Sequence, residues 1–200
     1  MKVIDLFSGL GGFSAAFVAR GHDVTTLDME PRFRPDIEAD IMDIRPGDLP
    51  PSDVVLASPP CQTFSVATIS RHWYSPGVPK TQAAVRGIEV VRHTLRLIGS
   101  MGPRWWVMEN PDAMLKRVVG PPAAVITLCQ YGARWQKRTD LWGRFPPSAI
   151  RPPCRRGSPC HEPAPRGSVS GVQGVRDPAL RAMLPYGLSE ALCISMETGR

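Results

Sequence analysis

The chain has 200 residues, of which 42% are apolar, and it carries a formal net charge of +6. This length and composition suit one domain with its own core and exclude a second large domain. The chain contains no run of 18 apolar residues and no basic-then-apolar leader, so we expect no membrane span and a cytoplasmic protein. Its five cysteines, an odd number at irregular spacings, argue against a disulfide framework.

Charge is distributed unevenly along the chain. Residues 1–60 contain 5 Lys and Arg against 10 Asp and Glu, whereas residues 134–166 contain 8 against 2. A basic segment of this kind is either a solvated face or a surface for a phosphate backbone. Its Arg, Gly and Pro content favours nucleic acid binding.

The first 20 residues have the pattern of a strand, a glycine turn and a helix. An apolar strand predicted at 3–7 is followed by SGLGG at 8–12 and by an amphipathic segment at 13–20. Glycines let the backbone approach a ligand closely, and the helix N-terminus beyond them favours negative groups. The pattern predicts the start of a nucleotide-binding βαβ unit.

Acidic residues follow the next two predicted strand ends. Asp28 ends the strand predicted at 22–27, where a carboxylate can accept hydrogen bonds from ribose hydroxyls. Asp40 and Ile41 come at the third strand end, where an adenine edge could bind. Each acid taken alone is also typical of an exposed residue or a helix cap. Together, the three successive strand ends predict an adenosine site.

A thiol follows the buried strand predicted at 54–57. Pro59 and Pro60 end that strand, so Cys61 stands just past its carboxyl edge. Ligands collect outside this edge in open α/β sheets, and a thiol held there is well placed for covalent chemistry. The alternative is a buried structural cysteine.

The segments after Cys61 are a loop and a helix. The loop at 66–78 combines cationic and aromatic side chains, which suits phosphate and base contacts but is also compatible with an ordinary packed loop. Residues 81–99 carry apolar side chains at helical spacing, which predicts a helix packed on the core.

A second apolar strand, predicted to begin at Arg104, ends in polar groups and is stopped by a proline. Glu109 and Asn110 come directly before Pro111, so Glu109 would lie at the same sheet edge as Cys61. A carboxyl group there could stay protonated through desolvation and donate a proton. The alternative is that Glu109 caps the next helix.

The last third of the chain alternates between regular and irregular segments. A strand is predicted at 125–131, and a final helix is predicted at 185–196. Between them, residues 145–176 are dense in Pro, Gly and Arg and show no periodicity, which indicates a long irregular loop. Its candidate zinc ligands are Cys154, Cys160 and His161, with Cys129 or another residue as the fourth.

Four motifs resemble those of the DNA cytosine-5 methyltransferases. In family order they are DLFSGLGGF at 5–13, PPCQTFS at 59–65, ENP at 109–111, and YG at 131–132 with QKR at 136–138. The resemblance spans residues 1–143, with a weaker echo at 185–196. It implies an α/β, Rossmann-like S-adenosylmethionine-dependent methyltransferase fold, in which a mostly parallel sheet is flanked by helices.

The resemblance also implies a reaction and a set of residues. A methyl group would pass from S-adenosylmethionine to C5 of a flipped-out cytosine in duplex DNA, with Cys61 bonded to C6, protonated Glu109 at N3 and Arg138 at O2. The implied catalytic residues are Cys61, Glu109, Asn110 and Arg138. The implied cofactor-binding residues are Asp5, Phe7, Gly9, Gly11, Gly12, Asp28, Asp40, Ile41 and Pro59. The implied nucleic-acid-binding residues are Gln62, Ser65, Arg71, Gln136, Arg151, Arg155, Arg156 and Arg166.

The sequence departs from the family pattern in three places. Asp140 stands where the family has a second arginine, and Leu188 replaces an asparagine. Only a short segment lies where the family carries a sizeable target-recognition domain. We therefore expect a catalytic and cofactor-binding domain at 1–144, a basic loop at 145–176 in place of target recognition, and a C-terminal helix at 177–200 that packs back on the catalytic domain. Short or relaxed sequence specificity follows from the small loop.

Two other functions are compatible with these residues. One is an RNA cytosine-5 methyltransferase, because a small recognition loop could read a folded or single-stranded shape. The other is a weakly active DNA-binding subunit that needs a partner chain for target recognition. The protein partner, the zinc ion and the use of a modified S-adenosylmethionine are left open by the sequence.

Overall fold

The computed structural model describes residues 1–168 and 171–199; Val169 and Ser170 of the predicted loop and Arg200 of the predicted C-terminal segment lie outside the described residues. The strands are β1 (Lys2–Leu6), β2 (Asp23–Asp28), β3 (Ile37–Glu38), β4 (Val54–Ala57), β5 (Trp73–Ser75), β6 (Val78–Pro79), β7 (Trp105–Pro111), β8 (Ala124–Thr127) and β9 (Arg138–Arg144). The α-helices are α1 (Ala15–Ala19), α2 (Ile69–His72), α3 (Gln82–Met101), α4 (Lys116–Val119), α5 (Pro178–Ala182) and α6 (Tyr186–Thr198).

Seven strands form one sheet in the order β3-β2-β1-β4-β7-β9-β8. The strands from β3 to β7 in this order run parallel, whereas β9 is antiparallel to both of its neighbours. A separate antiparallel pair, β5 and β6, lies in the loop after Cys61. The predicted fold, a mostly parallel α/β sheet flanked by helices, is confirmed.

The core lies on both faces of the sheet. All four residues of β4 are fully buried, as expected for a central parallel strand covered on both sides. Helix α3 packs on one face through Val91, Leu97 and Ile98. Helices α1 and α6 cover the other face through Phe17, Leu188 and Leu192. Within residues 1–168 and 171–199, no helix combines the length and the apolar character needed to cross a membrane.

Two strand predictions differ from the structure near the predicted site. Pro111 does not stop the strand that was predicted to end in Glu109 and Asn110, because β7 includes Pro111, which pairs with Thr139 of antiparallel β9. The predicted strand at 125–131 is wrong in its second half, because β8 ends at Thr127 and residues Leu128–Tyr131 form a 3-10 helix. The turn places Cys129 outside the sheet.

Asp5 is a buried carboxylate in β1, under the glycine turn. One of its oxygens accepts a hydrogen bond from Ser14 Oγ at 2.6 Å, whereas the other has no hydrogen-bond partner within residues 1–168 and 171–199. Burial raises the pKa of Asp5 from its ordinary value of 3.8 to about 7, although the Ser14 hydrogen bonds oppose the shift. The charged form of Asp5 therefore costs stability.

We predict that this carboxylate makes stability fall as the pH rises from about 4 to about 7. In that window the native state keeps a proton that the unfolded chain has lost, and the shift corresponds to at most about 4 kcal/mol. Urea unfolding of the wild-type chain and of Asp5→Asn, compared from pH 5 to 8, tests this. The variant is expected to lose that part of the pH slope, and parallel pH profiles would show that Asp5 is ionised throughout.

Candidate active site

A cavity of about 570 Å³ opens at the carboxyl ends of the parallel strands. It is lined by residues that follow β1, β2 and β4, and by Glu109 near the end of β7. This is the edge at which ligands collect in open α/β sheets, and the volume lies within the roughly 300–1,000 Å³ of small-molecule sites. The cavity is therefore large enough for a nucleoside-sized molecule.

The glycine turn forms one end of the cavity and is tied to the end of β2. Asp28 accepts hydrogen bonds from the backbone N–H groups of Gly9 and Glu30, both at 2.9 Å. Phe7 begins the turn with a φ of 63°, a left-handed conformation that a non-glycine residue rarely adopts. Strain of this kind is typical of functional sites, where the surrounding structure holds it in place.

Most of the predicted cofactor residues line this cavity. They are Phe7, Gly9, Gly12, Asp28, Asp40, Ile41 and Pro59. Asp5 and Gly11 do not line it. Asp5 is fully buried in β1. Asp40 also caps a short 3-10 helix by accepting from Met42 N–H at 2.9 Å, and Arg86 lies 3.3 Å from its other oxygen.

Sequence reasoning missed one wall of the cavity. Ala179, Ala182, Met183 and Leu184, which belong to α5 or directly follow it, line the cavity opposite the glycine turn. A Cβ atom at Gly12 would lie 2.6 Å from the Leu184 carbonyl oxygen, so only glycine permits this close approach. No sequence signal placed α5 there, because it lies more than 160 residues from the turn that it faces.

Cys61 lies in a loop that is fixed from several sides. Its carbonyl oxygen accepts from the N–H groups of Phe64 and Ser65, both at 3.0 Å. Phe64 is fully buried, and the Trp73 indole N–H donates to the Thr63 carbonyl at 2.7 Å. The half-buried thiol is therefore held at the cavity wall by packing around it rather than by the two prolines alone.

The thiol has a shifted pKa. Burial raises the pKa of Cys61 above its ordinary value of 9.0, and the Glu109 carboxylate raises it further. The Lys137 ammonium acts in the opposite direction and lowers the pKa of Cys61. A nucleophile at this position would depend on that cation, because the thiolate is the reactive form.

Glu109 and Asn110 face different partners from adjacent positions on β7. Glu109 lines the cavity, is 5% exposed and lies 3.5 Å from Lys137 Nζ. Asn110 is fully buried, and its amide donates to the Pro59 carbonyl oxygen at 2.9 Å. Glu109 can thus meet a ligand, whereas Asn110 ties the end of β7 to the Cys61 loop.

Of the two adjacent cations Lys137 and Arg138, only Lys137 lines the cavity. Arg138 was expected at the base, but its guanidinium pairs with Asp112 at 2.7 Å and does not line the cavity. Lys137 lines the cavity instead. Successive side chains of an extended chain point to opposite faces, so only one of these two cations can face the cavity. The spacing of the QKR motif does not indicate which one it is.

Asp140, at the position of the family's second arginine, is not among the residues that line the cavity. Its side chain is fully buried, and neither carboxylate oxygen has a hydrogen-bond partner among the described residues. Burial raises the pKa of Asp140 to about 6, with a smaller contribution from Asp112. The nearest cation is Lys116, whose Nζ lies 4.0 Å away.

The predicted nucleic-acid residues occupy different environments. Gln62 lines the cavity, and the exposed side chains are those of Gln62, Arg71, Arg151, Arg155, Arg156 and Arg166. Ser65 is half-buried, and its hydroxyl lies 3.1 Å from that of Thr68. Gln136 does not fit the prediction, because it is 3% exposed and its amide donates to Cys154.

The three predicted metal ligands lie together, and the structure supplies a fourth. The donor atoms of Cys129, Cys154, Cys160 and His161 all lie within 4.8 Å of one another. This cluster, which we call the sulfur cluster, lies outside the residues that line the cavity.

Comparisons with known proteins identify a family. Residues 1–127 match the family model for C-5 cytosine-specific DNA methylase. A probable DNA (cytosine-5)-methyltransferase of Frog virus 3 is 30% identical over 155 residues, which cover 71% of this chain and 70% of that protein. The type II methyltransferase M.NgoPII of Neisseria gonorrhoeae is 30% identical over 132 residues, which cover 58% of this chain but only 34% of the relative.

A solved structure supports the fold. A prophage-encoded protein of E. coli, described as a DNA modification methyltransferase, superposes with a TM-score of 0.51 at 18% identity, covering 72% of this chain and 46% of that protein. The chain thus spans most of the viral relative but about a third of the bacterial type II relative and under half of the solved structure. The family model matches more than half of the residues of this chain. The chain therefore belongs to the family of C-5 cytosine-specific DNA methylases.

Proposed function

We propose that this protein transfers a methyl group from S-adenosylmethionine to C5 of cytosine in DNA. The observation that carries the proposal is that Cys61 and Glu109 line the same cavity as the glycine turn and Asp28. A nucleophile, a carboxyl group and an adenosine-type site are thereby within reach of one bound pair of substrates. The family to which the chain belongs supports the same reaction.

S-adenosylmethionine fits the residues that are present. The glycine turn leaves backbone room beside Phe7, Asp28 offers carboxylate oxygens at the end of β2, and Ile41 provides an apolar wall. Carboxylates at this strand end suit ribose hydroxyls, and apolar side chains suit an adenine ring. When bound, this cofactor supplies an electrophilic methyl group.

The residues of the chain would prepare the base to accept that group. The Cys61 thiolate forms a bond to C6 while Glu109 engages N3, so electron density moves through the ring to C5. C5 takes the methyl group, and the cofactor leaves as S-adenosylhomocysteine. A base, which solvent can supply, then removes the C5 proton; the electron pair of that C–H bond forms the C5–C6 double bond, the pair of the C6–S bond leaves with Cys61 as the thiolate, and the proton at N3 returns to Glu109. The base must leave the duplex first, because its ring faces are covered by stacking.

The segment at 145–176 would contact the DNA backbone. Arg155, Arg156 and Arg166 are exposed and clustered in a segment of net positive charge. Exposed arginines of this kind suit phosphates, which fix position but carry no sequence information. We propose that this loop takes the place of a target-recognition domain beside a catalytic unit at 1–144, and that sequence preference is short or relaxed.

The direct test is labelling of duplex DNA and of tRNA with methyl-labelled S-adenosylmethionine, followed by identification of the modified nucleoside. The purified chain alone is expected to place label in 5-methylcytosine of DNA. Labelling of tRNA alone would show that the substrate is RNA and not DNA. Labelling that requires a second chain would show that this protein is one subunit of the enzyme.

We further predict that Lys137, rather than Arg138, is the cation that matters for transfer. Removing a charge that faces the reacting base is expected to lower kcat/KM by roughly 100-fold in Lys137→Met. The matched variant Arg138→Met breaks a half-exposed ion pair with Asp112, which keeps Lys116 as a second partner, and is expected to keep most activity. Steady-state kinetics of both variants check this. A larger loss of kcat/KM in Arg138→Met than in Lys137→Met would return the base-contacting role to Arg138.

A further inference from the structure

The sulfur cluster joins two parts of the chain that are distant in sequence. Cys129 lies in the 3-10 helix that follows β8, whereas Cys154, Cys160 and His161 come from the irregular segment at 145–168. All five cysteines are free thiols, so no disulfide explains the convergence. Three thiols and one imidazole do not gather by chance in a segment that has almost no core of its own.

The distances between donor atoms are those of a tetrahedral metal site. The Sγ of Cys129 lies 3.3 Å from that of Cys154 and 3.8 Å from that of Cys160. The Nδ1 of His161 lies 3.7 Å from Cys154 Sγ and 3.4 Å from Cys160 Sγ. Tetrahedral zinc, with Zn–S of about 2.3 Å and Zn–N of about 2.0–2.1 Å, sets ligand atoms about 3.5–3.8 Å apart. A disulfide would instead require about 2.05 Å between sulfurs.

Hydrogen-bond donors surround the sulfurs, as they do around metal-bound thiolates. The Gln136 amide donates to Cys154 Sγ at 3.2 Å, and the Gln130 amide donates to Cys160 Sγ at 3.4 Å. The backbone N–H of Cys154 is held by Thr127 Oγ1 at 3.0 Å. These contacts orient the thiols toward one another.

The histidine ring has one contact that a metal would change. The Gly157 backbone N–H lies 3.2 Å from His161 Nε2, which fits a neutral ring protonated at Nδ1. Metal binding at Nδ1 would move the proton to Nε2 and release Gly157. Gly157 is exposed, so its N–H can bind water once it is released.

We propose that Cys129, Cys154, Cys160 and His161 bind one structural zinc ion, which ties the basic segment to the catalytic unit. The site has four protein ligands and no open position, as structural zinc sites do. This inference does not depend on the proposed methyl transfer, because none of the four residues lines the cavity.

The zinc site would also hold the strand that carries the cavity cation. Gln136 binds Cys154 directly, and the Lys137 carbonyl oxygen accepts from Leu128 N–H at 3.0 Å, next to Cys129. Lys137 then reaches Glu109 with its ammonium group. Loss of zinc is therefore expected to loosen both the basic segment and the position of Lys137.

The test is the metal content of the full chain purified with zinc supplied. Elemental analysis is expected to find one zinc ion per chain in the wild type and far less in Cys154→Ser and Cys160→Ser. Cys193→Ala is the matched control, because it removes a free cysteine that lies outside the sulfur cluster. The polar neighbours of Cys193 are His22 and Glu197. Retained zinc in the Cys154 and Cys160 variants, or loss in the Cys193 variant, would overturn the assignment.

Two further measurements keep the test independent of folding in the serine variants. Replacement of zinc by Co²⁺ in the wild type is expected to give the thiolate charge-transfer and tetrahedral d–d absorption bands, and His161→Cys is expected to keep the metal with a shifted spectrum. Chelation should speed trypsin cleavage at exposed Arg155 and Arg156. A cobalt spectrum without thiolate bands, or cleavage unchanged by chelator, would contradict the proposal.

Discussion

Replacing Cys61 by alanine is expected to abolish methyl transfer, with a loss of at least about 1,000-fold in kcat. Without the sulfur no bond forms at C6, and C5 of cytosine stays too weak a nucleophile to take a methyl group. The half-buried side chain makes no hydrogen bond through its sulfur among those described, so the fold should tolerate its removal. Single-turnover labelling of DNA measures the effect, and Cys193→Ala serves as the control for loss of a thiol elsewhere.

The same thiol should make the reaction depend on pH. Because burial raises the pKa of Cys61, the thiolate fraction grows as the pH increases through neutrality, and the single-turnover rate should grow with it. Lys137→Met should move this rise to higher pH, since the ammonium lowers the pKa of Cys61. A residual rate in Cys61→Ala close to that of the wild type would show that methyl transfer does not need a bond between Cys61 and C6.

Replacing Glu109 by glutamine is expected to lower kcat by roughly 100- to 10,000-fold, the range typical of a lost general acid. The amide keeps the shape of the side chain but cannot pass a proton to N3, so cofactor and DNA binding should change little. Glu109 is 5% exposed and meets Lys137, so its removal also leaves that ammonium without its carboxylate partner.

The control for this variant is Glu190→Gln, which changes the same residue type at an exposed position of α6. Single-turnover rates, dissociation constants for DNA and the thermal midpoint separate chemistry from binding and folding. A Glu109→Gln variant with wild-type rates, or one whose whole deficit lies in DNA affinity, would show that Glu109 does not act on the base.

The sequence was most informative where a residue type serves the backbone and the chemistry together. The prolines at 59 and 60 end a strand, and the acid at position 28 ends the strand predicted at 22–27, so the carboxyl edge of the sheet was predictable. The glycines of the turn predicted a close approach of the backbone to a ligand. They did not predict that the Leu184 carbonyl group would approach Gly12. Local signals of this kind locate strand ends but not their distant neighbours.

The sequence was least informative where the outcome depended on side-chain direction or on long loop closure. Lys137 and Arg138 are adjacent cations, and the pairing register with neighbouring strands decides which one faces the cavity. Gln136 belongs to a motif for base contact, yet it is buried against Cys154. Cys129 was one of several candidates for a fourth ligand, and only the turn after β8 brings it to residues 25 and more positions away.

The most direct test of the central claim is trapping on DNA that contains 5-fluorocytosine, with S-adenosylmethionine present. Fluorine at C5 cannot leave as the proton does, so an enzyme that has bonded Cys61 to C6 and placed the methyl group at C5 cannot release the base. We predict a denaturation-resistant adduct with DNA for the wild-type chain and none for Cys61→Ala. An adduct that persists in Cys61→Ala, or no adduct with DNA that the chain demonstrably methylates, would contradict it.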